Sequence, residues 1–172
     1  MSEALGQAQE VKAAFRNAMR RLAATVTIIT THEGGRWHGM TATAVTSVSA
    51  DPPALLVCVN QSASLHDPLL ASGRFGVNLL RACHTELCGI FSGQRDGQER
   101  FDFGDWRTDE GGLPYLGDAQ ASLVCTVELK MPYATHTVFI GRVDAVRIFD
   151  EVTPLIYQDG HFVNSVPLVP AK

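Results

Sequence analysis

The chain has 172 residues, a formal net charge of −4, and a composition that is 45% hydrophobic and 19% charged. This length and composition are typical of one globular domain with its own core, and an acidic chain without a Lys/Arg cluster is not expected to bind nucleic acid or an anionic membrane surface. The first ten residues lack the basic and apolar regions of a secretory signal, so we expect a cytoplasmic protein whose partners are small molecules or proteins.

The N-terminal part is predicted to contain a tail, a helix and a hairpin. We expect residues 1–9 to be a flexible tail and residues 10–172 to form a single domain. Apolar residues recur at helical spacing over residues 11–22, which indicates an amphipathic helix on the outside of a core. Residues 24–31 alternate β-branched side chains in the manner of a strand, and residues 33–35 supply a hairpin turn.

Residues 41–49 form an unusual stretch, because they are Thr, Ala, Val and Ser without one large side chain. Successive side chains of a strand point to opposite faces, so Thr41 and Thr43 share one face while Ala42 and Ala44 share the other. A flat molecule can approach such a backbone closely and accept hydrogen bonds from its N–H groups. The stretch therefore predicts a ligand platform.

Polar side chains follow the next predicted strand, residues 54–59, which is expected to be buried on both faces. Asn60, Ser62 and Ser64 lie two residues apart, so their side chains can converge on one side of the chain. Ser64 also begins an S-x-x-D pattern, which is typical of a helix N-cap. Two interpretations stay open: a phosphate seat for a nucleotide whose ring lies on residues 41–48, or a hydroxyl-rich strand edge before an ordinary capped helix.

The rest of the chain is predicted to be mainly β. We expect helices over residues 65–71 and 83–91, a long polar loop over 92–112, and strands over 74–80, 121–131, 137–149, 155–157 and 161–163. The loop is interpreted either as functional or as a solvated connection that Phe101, Phe103 and Trp106 hold in place. Many strands, few helices and hairpin-length connections indicate a closed or nearly closed antiparallel barrel.

Motifs that identify chemistry directly are absent from the sequence, which has no G-x-S-x-G, Walker A or G-x-G-x-x-G pattern. Any dinucleotide must therefore be held in some other way than by a Rossmann fingerprint. Cys83, His84 and Cys88 have no second matching pair, and two sulfurs with one imidazole fall short of a zinc site. No metal is expected.

A set of short segments in consistent order points to one family. They are FRNAMR at residues 15–20, ATVTIITT at 24–31, GMTAT at 39–43, TSVSADPP at 46–53, FGVNLL at 75–80, RF at 100–101, IGRV at 140–143 and PLIY at 154–157. Over about residues 12–165, the chain resembles the flavin reductase component of two-component flavin-dependent monooxygenases, a branch of the FMN-binding split-barrel proteins. The resemblance implies a mainly β fold, a Greek-key-like antiparallel split barrel with a few peripheral helices, and a homodimer whose flavin groove lies near the interface.

The implied activity is that of an NAD(P)H-dependent flavin reductase. Such an enzyme transfers hydride from NADH to FMN or FAD and supplies reduced flavin to a separate monooxygenase, here expected to be an aromatic hydroxylase. The resemblance leaves open the choice between FMN and FAD and between NADH and NADPH. The alternative from another class is a flavin-binding carrier or electron-transfer protein without nicotinamide turnover. An amine oxidase of the pyridoxamine-phosphate type is disfavoured, because the matched segments belong to the reductases.

Carried over residue by residue, the resemblance assigns three groups of flavin-site residues. The isoalloxazine ring is expected along four residues whose backbone N–H groups meet its N and O atoms: Thr41, Ala42, Thr43 and Ala44. The ribityl chain and phosphate are expected on five residues with hydroxyl or amide side chains: Thr46, Ser47, Asn60, Ser62 and Ser64. Arg100 and Phe101 match the Arg-Phe pair of the family's long loop, where a cation assists the flavin phosphates or an adenylate. The alternative for Arg100 is an ordinary solvated arginine.

His136 is expected to contact the nicotinamide. Many relatives carry Gly-Asp-His before the Ile/Phe-x-Ile-Gly strand, whereas this chain reads Ala134-Thr135-His136. The His is kept and the carboxylate beside it is lost, so we expect a nicotinamide contact rather than a tuned acid or base. The alternative is an ordinary histidine at the end of a strand.

Overall fold

A computed structural model describes residues 2–95 and 97–168 of the chain. Its α-helices are α1 (Ser2–Met19), α2 (His66–Ser72) and α3 (Thr85–Gly89). Its strands are β1 (Ala24–Thr25), β2 (Thr27–Glu33), β3 (Arg36–Ala42), β4 (Val45–Ala50), β5 (Pro53–Asn60), β6 (Arg74–Leu79), β7 (Trp106–Thr108), β8 (Pro114–Leu116), β9 (Ala121–Tyr133), β10 (His136–Ile148), β11 (Ile156–Gln158) and β12 (His161–Val163). Short helical turns of other types occupy Ala82–His84, Ile90–Gln94 and Gly97–Asp102.

Seven antiparallel strands form the main sheet, in the order β3-β2-β6-β9-β10-β5-β4. Strands β3 and β4 are consecutive in the chain yet occupy opposite edges of the sheet. Only Thr43 and Ala44 connect them, so the two edges must lie close together and the sheet must curl. Among the described residues no ladder joins β3 to β4, and the barrel is therefore split at this point. The predicted antiparallel split barrel is confirmed.

The sequence stretch that was predicted as one strand, residues 41–49, is thus divided between two edges. Thr41 and Ala42 end β3, where they pair with Ile28 and Thr27 of β2. β4 begins at Val45, which pairs with β5 instead. The predicted hairpin turn before β3 is confirmed, because Gly34 and Gly35 adopt positive φ angles of 57° and 76° that glycine tolerates without strain.

Two hydrophobic clusters lie on the two sides of the sheet. Ile28 belongs to the outer cluster, beneath the helical turns and the long loop. Ile29 belongs to the inner cluster, which includes Val57 and Phe139 and fills the barrel. Strand β2 separates the clusters and is buried on both faces over five consecutive residues. Strand β5 was expected to be buried in the same way, but its buried residues alternate with half-buried ones, because one of its faces lies outside the barrel.

Helix α1 differs from its prediction in two respects. It begins at Ser2, so residues 2–9, which were expected to belong to a flexible tail, are helical. Its apolar side chains do not pack on a core, since Val11 is 64% exposed and Phe15 is 63% exposed. The helix is rich in residues of high helix propensity, but among the described residues the side chains of Val11, Phe15 and Met19 remain exposed. No helix in the described part of the chain is both long and apolar enough to cross a membrane.

The long loop of residues 92–112 contains more structure than its composition suggests. It holds a short helical turn over Gly97–Asp102 and the strand β7, which pairs with β8. Phe101 is buried in the outer cluster, and Phe103 and Trp106 pack against it. The expected packing of these aromatic residues is confirmed, and a functional role of the loop stays a prediction.

Candidate active site

Three grooves meet at Thr43, in the gap between β3 and β4. The first, called the ring groove, has a volume of about 630 Å³ and is lined on this side by Thr41, Ala42 and Thr43. The second, of about 670 Å³, runs toward β4 and includes Thr46 and Ser47 in its lining. The third, of about 620 Å³, lies between helix α1 and residues 43–44. Cofactor sites in proteins have volumes of about 300–1,000 Å³, so each groove is large enough for a part of a nucleotide.

The backbone at the meeting point is suited to bind a flat polar ring. Thr43 and Ala44 have no partner in either neighbouring ladder, because pairing stops at Ala42 and resumes at Val45. Their carbonyl groups are engaged, since Thr43 accepts from Val45 N–H and Ala44 accepts from Cys58 N–H. N–H groups outside a ladder need another partner, and a ligand can supply it. The predicted ring-binding residues therefore fit a flavin.

The opposite wall of the ring groove comes from residues that the sequence analysis did not select. Cys88 and Ser92 line it from α3 and the following turn, and Tyr157 and Phe162 line it from β11 and β12, which form a separate three-stranded sheet with β1. Thr41 fixes the distance between the walls, because its hydroxyl donates to the carbonyl of Cys88 at 3.0 Å. Burial raises the pKa of the Cys88 thiol, so this side chain is a neutral wall and not a nucleophile.

Thr46 and Ser47 are exposed on β4 and share the second groove with Thr43. They are thus close to the predicted ring position, as expected for residues that bind the ribityl chain. Ser64 does not line this groove. The structure therefore separates the five predicted hydroxyl and amide side chains into at least two places.

Asn60 and Ser62 do converge, because the side-chain oxygen of Asn60 accepts from both the N–H and the hydroxyl of Ser62 at 2.9 Å. Ser64 does not join them and does not cap helix α2. That helix begins at His66, its N-cap residue Leu65 already has helical angles, and no side chain caps it. The N-cap prediction is wrong because the N–H of His66 bonds to the carbonyl of Ala63 in a preceding turn. The Ser64 side chain lines a separate cavity instead.

That cavity, called the polar cavity, has a volume of about 120 Å³ and lies between β3 and the β5–α2 connection. Ser64 and Arg100 line it together with two residues that the sequence analysis missed, Arg36 and His38. The sequence did carry a signal for Arg36 and His38. Residues two apart in a strand share a face, and His38 directly precedes the matched GMTAT segment.

Arg100 and Phe101 have different surroundings. Arg100 is only 8% exposed, and it donates from Nη1 to the carbonyl of Gly39 at 2.6 Å and from Nη2 to that of Arg95 at 3.0 Å. The interpretation of a solvated arginine is therefore wrong. Phe101 faces the outer cluster, where its ring packs against three other aromatic rings. Phe101 lines none of the three grooves and does not line the polar cavity, because adjacent residues of a tight helical turn point in different directions, and its contact with a flavin stays a prediction.

His136 lies at the start of β10, where it is paired with Asn60 of β5. Its side chain is exposed and does not line the ring groove. A hydrogen bond of 2.9 Å joins its Nδ1 to the hydroxyl of Thr135. The hydroxyl of Thr135 thus orients the imidazole of His136.

Comparison with known proteins identifies the chain's relatives. The profile described as "Flavin reductase like domain" matches residues 19–165. The chain belongs to this family. A relative named FADH(2)-dependent resorcinol hydroxylase, reductase component, from Rhizobium sp. (strain MTP-10005), is 44% identical over 155 residues, which cover 89% of this chain and 87% of the relative. FMN reductase (NADH) RutF of Cronobacter turicensis is 42% identical over 149 residues, 87% of this chain and 90% of the relative.

Solved structures of flavin reductase-like proteins have the same fold. Streptomyces globisporus C-1027 NADH:FAD oxidoreductase SgcE6 superimposes with a TM-score of 0.84 at 29% identity, over 91% of this chain and 94% of that one. The matches span 87–94% of each of these relatives. The predicted family is confirmed.

Proposed function

We propose that the chain is an NADH:flavin oxidoreductase that transfers hydride from NADH to FMN or FAD and supplies the reduced flavin to a separate monooxygenase. The observation that carries the proposal is the meeting of three grooves at Thr43, where the backbone lies outside both ladders. Relatives named FMN reductase (NADH) and reductase component of a hydroxylase support it.

In this proposal the chain's own residues bind and orient, because the cofactors carry the redox chemistry. Residues 41–44 hold the isoalloxazine ring, and Thr46 and Ser47 hold the ribityl chain. The wall of Cys88 and Ser92, fixed by the bond from Thr41, limits the space above the ring. A flavin held by residues 41–44 would supply the hydride acceptor, and these residues would orient its ring toward a nicotinamide about 3–3.5 Å away. His136, at the start of β10, is proposed to position the nicotinamide.

The test is to mix the purified protein with NADH and with FMN or FAD under air and to follow the absorbance of NADH. Steady consumption that depends on added flavin is expected. Absence of consumption with either flavin, together with tight flavin binding, would support the flavin carrier instead. Repeating the assay with NADPH determines the nicotinamide preference.

Adding a hydroxylase encoded beside the gene tests the proposed partner, an aromatic hydroxylase, through formation of hydroxylated product.

We further propose a homodimer in which the apolar face of α1 packs on the second copy. The exposed side chains of Val11, Phe15 and Met19 on one helix support this, since monomers rarely leave such contiguous patches in water. Sedimentation at micromolar concentration is expected to give a dimer, and Phe15→Glu is expected to weaken it. A wild-type monomer would refute the proposal.

Two smaller proposals concern location and organisation. The four cysteines are free thiols, which supports a cytoplasmic protein because that compartment is reducing.

Ladder pairing between Ala24 of β1 and Tyr157 of β11 joins the two ends of the chain, which supports a single domain over residues 10–172. Limited proteolysis is expected to leave this region intact.

A further inference from the structure

The second groove opens into the apolar interior of the barrel. Leu79 of β6, Leu123 of β9 and Val143 of β10 line it, and all three are half-buried side chains that pack against the inner cluster. The groove also reaches Val77, which is fully buried. Val146 lies opposite Leu123 in the β9–β10 pair and is 51% exposed. The hydrophobic core of the barrel thus continues outward to solvent through this groove.

Aliphatic side chains that line a hollow differ from scattered apolar residues on a convex surface, which are ordinary in proteins. Here they come from three neighbouring strands and border one continuous space of about 670 Å³. Small-molecule sites are often found in the mouths of β-barrels and have volumes of about 300–1,000 Å³. Transfer of an apolar surface from water to such a lining is favourable. The groove therefore has the size and the lining of a binding site for an apolar molecule.

The polar part of the lining determines the charge of this molecule. Among the described residues that line the groove, none has a charged or titratable side chain. Transfer of an ion to uncharged surroundings is costly, so a charged ligand is disfavoured. The polar side chains are hydroxyls, and those of Thr25 and Ser47 make no hydrogen bond within the described part of the chain. The matching ligand is neutral, mainly apolar, and carries a hydroxyl group.

We propose that the second groove binds a small neutral phenol. Its ring lies against Leu79, Leu123 and Val143, and its hydroxyl group bonds to the hydroxyls that line the groove. A phenol is rigid, so it loses little conformational entropy on binding. Of residues 41–44, to which the isoalloxazine ring is assigned, the groove includes only Thr43. The phenol site is thus additional to the proposed ring position and does not depend on the proposed reductase activity.

Titration of the whole protein with phenol tests the proposal by NMR, with ¹³C in the methyl groups of leucine and valine. The methyl signals of Leu79, Leu123 and Val143 are expected to shift along one saturating curve with a Kd below about 1 mM. Val138 lies on β10 but does not line the groove, and its signals are expected to stay in place. Benzoate has the same ring with a negative charge, and it is expected to bind at least about tenfold more weakly at pH 7.

A charge placed in the groove should change this preference. Val146→Lys alters an exposed residue of the lining, so the fold is expected to be preserved. The added cation should reduce the ratio of the benzoate Kd to the phenol Kd by at least about fivefold. Val152→Lys is the matched control, because Val152 is 78% exposed and does not line the groove. This variant is expected to keep the wild-type ratio, and thermal melting checks the fold of both.

The proposal is overturned if the three methyl signals do not shift up to about 10 mM phenol, which is well above the expected Kd, or if benzoate binds as tightly as phenol. It is also overturned by two other occupants. If FMN alone shifts the same signals and excludes phenol, the groove belongs to the flavin. If the signals change with protein concentration and phenol has no effect, a second copy of the chain fills the groove. NADH oxidation is measured separately, so loss of the proposed reductase activity would leave the phenol result standing.

Discussion

Arg100 donates a 2.6 Å hydrogen bond to the carbonyl of Gly39 and thereby fastens the long loop to the open edge of the barrel. Replacing Arg100 with Met should leave that carbonyl without its charged donor and destabilise the fold by about 1.5–3 kcal/mol. Urea denaturation measures this change. Arg100→Lys keeps the charge but loses the planar fork of the guanidinium group. Compared with Arg100→Met, it should therefore recover nucleotide affinity more fully than it recovers stability. Equal stability of wild type and Arg100→Met would show that the bond does not hold the loop.

Gly39 lies directly against the aromatic rings of the outer cluster. A Cβ at this position would stand 2.7 Å from Phe91 Cε1 and 3.2 Å from Phe101 Cζ. Gly39→Ala should therefore displace the rings and cost about 1–3 kcal/mol of stability through overpacking. The matched control is Gly6→Ala in helix α1, where the added Cβ meets nothing within 4 Å and should raise stability by up to about 1 kcal/mol. Thermal melting of both variants checks the contrast, and similar melting temperatures would contradict it.

Ser64 and Ser62 should respond differently to truncation. Ser64→Ala removes a hydroxyl from the polar cavity and should weaken FMN binding by about one to two factors of ten, at about 1.5–3 kcal/mol for a bond to a charged group. Stability should not change, because Ser64 caps no helix. Ser62→Ala loses its bond to Asn60 and should cost about 1 kcal/mol of stability. Fluorescence titration and melting measure the two effects.

The turnover rate at saturating flavin should be nearly unchanged in Ser64→Ala, because binding remote from flavin N5 is common to ground and transition states. A large fall in that rate with unchanged flavin affinity would place the phosphate elsewhere.

Thr135 should act through His136. Thr135→Val removes the 2.9 Å bond to Nδ1, so the imidazole rotates freely and the KM for NADH should rise about threefold to tenfold, by the strength of one hydrogen bond. His136→Ala should raise it at least as much, and the double variant should add nothing further. Flavin affinity is the control and should not change. Additive effects in the double variant would mean that the two residues act independently.

Asp109 should make stability depend on acid pH. Burial alone would raise its pKa, but bonds from the N–H groups of Leu113 and Gly111 and from Arg74 outweigh burial, and the pKa is lowered below 3.8. The folded protein therefore binds fewer protons than the unfolded chain, and this stabilisation, present above about pH 4, is lost as the pH falls through the lowered pKa. Asp109→Asn should be less stable at pH 7 and less sensitive to pH below 4. An equal dependence of the free energy of unfolding on pH in wild type and Asp109→Asn would contradict this.

Local patterns allowed much of the fold to be predicted. The alternating strand at residues 24–31, the glycine turn at residues 34–35 and the long strand beginning at residue 121 all appear where expected. The break at Thr43 and Ala44 was not predictable, because both residues are compatible with a continuous strand. It arises from tertiary structure, since β3 and β4 pair with different neighbours across the barrel.

The predicted site residues are brought together only in part, for the same reason. Residues adjacent in the chain, such as Thr41 and Ala42, line one groove, while their contact with a flavin stays a prediction. Long-range neighbours could not be predicted, since no spacing rule brings His38 and Arg100, which are 62 positions apart, to one cavity. Ser64 matched a capping pattern, but the turn before α2 had already used the N–H group that a cap would satisfy.

The amide of Gln98 has a consequence for the protein's behaviour at high concentration. By bonding to both the N–H and the carbonyl of Trp37, it occupies two hydrogen-bonding groups that an edge strand normally leaves open to a strand from another molecule. One side chain thus imitates a neighbouring strand for the length of a single residue. At Trp37 the open edge of the barrel is in this way unavailable for pairing with a second β-strand.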